Sequence, residues 1–110
     1  MPARVMFVQL KTGHPLDQGP AWVGWVHFTK SWRTAHFHDR TLQRVTGTAG
    51  ANNDANFVDA ETREEYWISG PKRDRSDARY SSQRPIVEDD ARDVYEAFLS
   101  GARLPGRENG

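Results

Sequence analysis

His36 and His38, with the adjacent acid Asp39, are the residues of this chain whose types and spacing would suit metal chemistry. In an extended strand, side chains two apart share a face. Two imidazoles so placed would fill two positions around a divalent ion, with Asp39, His14 or His27 as the third ligand. One reading is therefore a small metal-dependent enzyme built on the His36/His38 strand. The plainer reading, which carries more weight, makes both histidines half-exposed strand residues that hold no metal and no cofactor, because nothing singles out the third ligand. Other candidate chemistry is thinner. Glu64 and Glu65 are adjacent, so on a strand they face opposite ways and cannot form one paired-carboxylate site. Each would instead pair with a Lys or Arg, or meet Asp59 across a hairpin. Ser31 and Ser69 have no base at a suggestive spacing. The balance leans towards a chain without catalysis.

Recognition chemistry is better represented. From Glu64 to Tyr80 an aromatic strand runs into Gly70-Pro71 and then a dense, mostly basic loop. Tyr66 and Trp67 would supply flat faces, and Lys72, Arg73, Arg75 and Arg79 would supply charge, with Tyr80 and Arg84 close in sequence. Trp25 and Trp32 would extend the platform if exposed. Trp, Tyr and Arg dominate protein interfaces, so the first reading is a non-catalytic binding module for a protein partner or a second copy of itself. The alternative is nucleic-acid binding, through stacking on Trp67 and phosphate contacts from the loop of residues 72–79. Against that alternative stand Asp74, Asp77 and the acidic segment that follows the loop.

Charge is balanced but unevenly spread. Fifteen basic and fifteen acidic side chains cancel. Residues 1–50 carry six basic and two acidic groups, residues 51–69 one and five, residues 70–85 five and two, and residues 86–101 one and five. Such a polarised surface steers a charged partner or pairs with itself. Cysteine is absent, which excludes disulfides, thiolate zinc sites and thiol catalysis and fits the cytoplasm. No apolar run approaches the roughly 20 residues needed to span a bilayer, and the first residues lack the features of a secretory signal.

The positioning elements follow from periodicity. At 110 residues, a single domain over 1–103 is expected, with a flexible tail over 104–110. Strands are expected at 4–10, 21–28, 33–38, 41–46, 56–59 and 64–69. In the second, Trp22, Val26 and Phe28 share one face with Gly24, while Val23, Trp25 and His27 share the other. Gly24 marks a bulge or a close backbone approach. Asp39-Arg40 is the expected turn between the third and fourth strands. The segments 47–56 and 70–85 read as loops. Ala91, Val94, Tyr95, Phe98, Leu99 and Ala102 follow the period of an amphipathic helix over about 89–101, capped by Glu88, Asp89 or Asp90 and ended by Gly101. The fold class expected is mainly β (α+β): a small twisted sheet or half-open SH3-like barrel of five to six strands with one C-terminal helix.

The run Asp59-x-x-Thr62-x-Glu64-Glu65-Tyr66-Trp67-Ile68-Ser69-Gly70-Pro71-Lys72-Arg73, followed by Asp77-x-Arg79-Tyr80, resembles a family of small uncharacterised bacterial proteins. Lys30-Ser31-Trp32-Arg33-Thr34 and Arg40-Thr41-Leu42 are similar to the same family. The resemblance implies no established activity. Members sometimes bear the name of a thiamine-diphosphate-dependent isoprenoid synthase, which does not suit a chain of this size without a Gly-Asp-Gly diphosphate motif. One departure stands out: the resembling proteins carry Gly where this chain has Arg63, so a left-handed backbone there would be strained.

Overall fold

The second strand alternates as expected, and that alternation divides the interior into two layers. The computed structural model describes residues 2–12, 19–45, 55–72, 85–104 and 106–108. Its strands are β1 (Pro2–Leu10), β2 (Ala21–Phe28), β3 (Thr34–Phe37), β4 (Arg40–Arg44), β5 (Phe57–Asp59), β6 (Glu65–Ser69), β7 (Ile86–Val87) and β8 (Gly106–Glu108). A single 3-10 turn, Asp89–Ala91, leads into helix α1 (Arg92–Leu99). Pairing runs β2–β3–β4–β5–β6–β1 and returns from β1 to β2, antiparallel throughout. Six strands thus close a barrel. Full closure, where a twisted sheet or half-open barrel was expected, rests on the length of β1: its residues 3–9 pair with β2 while residues 7–10 pair with β6.

Val8, Val26, Phe28, Ala35, Phe37, Leu42, Phe57, Tyr66 and Ile68 fill the barrel. The other parity of β1 and β2 puts Ala3, Val5, Phe7, Ala21, Val23 and Trp25 outside it, where Ala91, Tyr95 and Phe98 cover them. Trp25 Nε1 donates to the Asp90 carbonyl at 3.0 Å, fixing the start of the helical segment on the barrel wall. An eight-residue helix has little stability of its own, so this apolar contact holds it. The Gly101 N–H donates to the Phe98 carbonyl at 3.0 Å and the Ala102 N–H to the Ala97 carbonyl at 2.9 Å. Together with the positive φ of Gly101, 114°, these bonds make the Schellman ending expected of glycine there. The cap at the other end differs from expectation: no side chain caps it, and Glu88 turns its carboxylate to His38.

Three further differences have physical causes. The β3–β4 turn lies one residue earlier than expected. Phe37 pairs with Arg40, leaving His38 (φ 51°) and Asp39 (φ 59°) as a two-residue loop with both residues left-handed. Gly and Asn normally mark such turns, and neither is present. The tail is not wholly frayed: β8 pairs with Pro2–Arg4 of β1. The two-residue β7 lies parallel to β2 at Trp22 and Val23, too short to leave a periodic signal. Among the described residues no helix is long and apolar enough to cross a membrane.

Candidate functional site

The aromatic pair expected to form a binding platform is split by strand parity. Tyr66 points into the barrel and is buried. Burial pushes its hydroxyl above its ordinary value, with Arg40, Glu64 and Asp59 as the charges acting on it. Trp67 is on the outer face, half-buried against the helix-covered layer, and its Nε1 donates to Ser69 Oγ at 3.0 Å. Tyr66 therefore offers no stacking face, and the two rings cannot act together. Lys72 is exposed. Arg73, Arg75, Arg79, Tyr80 and Arg84 lie outside the described residues.

The histidine strand is also rearranged. His36 is on β3, directly opposite His27 of β2, with Nδ1 3.4 Å from Thr41 Oγ1. His38 is not on the strand but in the turn, stacked on Phe37 with ring centroids 4.0 Å apart and paired with Glu88. The three histidines share a cleft of about 510 Å³ with Trp25, Asp39 and Glu88. Among the described residues no three His, Asp or Glu side chains converge as a metal would require. His14, the remaining candidate ligand, lies outside them.

Glu64 and Asp59 converge on one cation instead. Arg40 Nη1 donates to Asp59 Oδ2 at 2.9 Å and to Glu64 Oε1 at 3.2 Å. Asp59 Oδ1 also accepts from the Glu61 and Thr62 amides, at 2.8 and 3.1 Å. Burial works to raise the Asp59 carboxyl, but these amide bonds and Arg40 outweigh it and hold the group below its ordinary value. This constellation builds the β5–β6 turn. That turn ends on Arg63, whose φ of 66° is left-handed.

A different surface assembles at the end of the barrel where β2 passes into β3. The Thr29 N–H donates to the Thr34 carbonyl at 3.0 Å and the Trp32 N–H to the Thr29 carbonyl at 2.9 Å, so residues 30–33 make a tight loop. Trp32 takes φ 62° and is 37% exposed. Its ring lies 4.8 Å, centroid to centroid, from Phe28. The Arg4 guanidinium sits over the Trp32 ring, 5.3 Å from its centroid. Arg44 Nε donates to the Trp32 carbonyl at 3.1 Å, and its guanidinium covers Phe57 at 5.1 Å. Lys30 and Arg33, both exposed, flank Trp32 on the loop. Among the described residues no carboxylate pairs with Lys30, Arg33 or Arg44. This end combines an exposed ring with four cations. The signal for it was the Lys30-Ser31-Trp32-Arg33 run, in which a Trp stands in a loop between cations.

Compared with protein-family models, curated proteins and solved structures, the chain matches none.

Proposed function

We propose that the chain is a non-catalytic binding module that grips a negatively charged polymer with the Trp32 end of its barrel. The observation that carries this reading is Trp32 itself: exposed, left-handed, and set among Arg4, Lys30, Arg33 and Arg44. A left-handed non-glycine residue costs on the order of 1–2 kcal/mol, and such strain gathers at functional sites. The absence of Cys supports a cytoplasmic setting.

Titration with inorganic polyphosphate at about 50 mM salt tests the reading. The wild type is expected to bind, with affinity falling steeply as salt rises. Reversing Lys30 and Arg33 to Glu, both exposed loop residues, should weaken binding at least tenfold and lower the salt slope by about two. Equal binding by wild type and variant would reject this surface.

A second reading, self-association, is favoured by Ile86, which is 59% exposed on the edge strand β7. An exposed apolar side chain on a sheet edge can seat a second copy through side-chain contact, though a two-residue strand offers little backbone to pair. Sedimentation of wild type against Ile86→Lys tests it; a concentration-independent monomer for the wild type rejects it.

A further inference from the structure

We infer that the polymer held at this end is single-stranded nucleic acid, with one base stacked on Trp32 and the neighbouring phosphates on Lys30, Arg33 and Arg44. The inference rests on the polyanion reading above and adds what the ring is for. Trp32 belongs to neither apolar cluster of the fold, whereas its neighbour Phe28 is 2% exposed and packed in the barrel. The indole rests on Phe28 at the rim of the barrel, 4.8 Å between ring centroids, and keeps 37% of the residue exposed. A charge-only site has no use for a large flat ring held out in a backbone conformation that Gly would adopt more easily. A polymer that carries flat faces as well as phosphates does.

Every base has a π-face, and stacking on an aromatic side chain is tolerant of sequence. In a duplex those faces are occupied by neighbouring bases, so the Trp32 ring selects single strands. Arg4 completes the geometry. Its guanidinium sits over the indole, 5.3 Å from the ring centroid, and a guanidinium can stack on a base as it does on an indole. A base entering beside Trp32 exchanges one cation–π contact for two stacking contacts. Arg44 Nε donates to the Trp32 carbonyl, which keeps a phosphate-binding cation next to the ring.

The test uses the full chain and four probes of similar length: oligothymidine of about twelve nucleotides, its duplex with oligoadenine, an abasic strand, and inorganic polyphosphate. Oligothymidine is expected to bind tightest and to quench tryptophan fluorescence. The abasic strand has the phosphates without the bases and should bind about 5- to 100-fold more weakly, a comparison that needs no variant. Trp32→Gly, which keeps the left-handed turn, should lower oligothymidine affinity by a similar factor and narrow the gap between oligothymidine and the abasic strand. If all four probes bind the wild type alike, base stacking is rejected while the polyanion reading stands. If none of them binds at low salt, both fall. If an acidic peptide such as polyglutamate outcompetes oligothymidine, the partner is a protein and the nucleic-acid inference falls alone.

Discussion

Glu88 crosses directly over Gly24: a β-carbon at position 24 would lie 2.7 Å from Glu88 Cγ. The same β-carbon would meet Phe37 Cε1 at 3.1 Å. The glycine is thus a close-approach residue that lets Glu88 reach between β2 and the β3–β4 hairpin to His38. Gly24→Ala should destabilise the fold by about 1–3 kcal/mol, the range for overpacking. Combining it with Glu88→Ala should recover about 0.5–1 kcal/mol of that loss, because Cγ is removed while Phe37 remains. Urea unfolding of the four proteins measures the coupling; strict additivity would mean the two residues do not compete for space.

Arg63 should be better replaced by Gly. The residue is exposed and left-handed at φ 66°, so glycine removes strain while giving up little contact. Against this, glycine loosens the unfolded chain. A net gain of about 0.5–1 kcal/mol is expected, raising Tm by roughly 2–5 °C. An unchanged or lower Tm in a thermal melt would show that the Arg63 side chain contributes as much as its backbone conformation costs.

Acid should weaken the fold partly through Asp59. Its folded carboxyl is held below the ordinary value of 3.8, so its contribution is present above that pH and is lost as pH falls through the lower, folded value. Asp59→Asn keeps the shape and the amide-accepting oxygen but loses the charge facing Arg40. It should cost about 1.5–3 kcal/mol near pH 7 and flatten stability against pH below about 4. Unfolding curves at pH 7 and at about pH 3 check this; an equal gap between the two proteins at both pH values would remove Asp59 from the acid response.

Helix α1 should detach when its apolar anchor goes. Phe98 and Tyr95 are the buried residues of α1 and cover Val23 and Trp25. Phe98→Ala should cost about 3–5 kcal/mol and expose apolar surface. Trp25→Phe, which removes the donor to the Asp90 carbonyl and part of a buried ring, should cost about 1–3 kcal/mol. Binding of a hydrophobic dye should rise in the first variant; a dye signal no higher than wild type would mean that the helix stays docked without Phe98.

What was legible in the chain was alternation. Val23 and Trp25 against Val26 and Phe28 assigned both faces of β2 correctly, because each face of this strand packs on a different apolar layer. The helix was legible from Val94, Tyr95 and Phe98 for the same reason. Turn positions were less so. His38 and Asp39 adopt left-handed backbone without the glycine or asparagine that marks it most strongly, and the one-residue shift removed His38 from the strand on which a metal reading depended. The expected platform of Tyr66 and Trp67 failed on parity, since adjacent strand residues face opposite sides. Trp32 was visible only as a ring near cations. That it is left-handed and partly exposed at the barrel rim depends on the Thr29–Thr34 loop closure, which no local pattern encodes.

The longest strand sets the schedule on which this protein can mature. Residues Phe7–Leu10 of β1 pair with Tyr66–Ser69 of β6, so one flank of β1 stays open on the ribosome until Ser69 has left the exit tunnel. During that interval Val8 and Leu10 stand on an unpaired flank, the kind of edge that recruits other nascent chains. Pairings so far apart in sequence also slow closure. Production of this chain should therefore respond to translation speed and to chaperone supply more than its small size alone would imply.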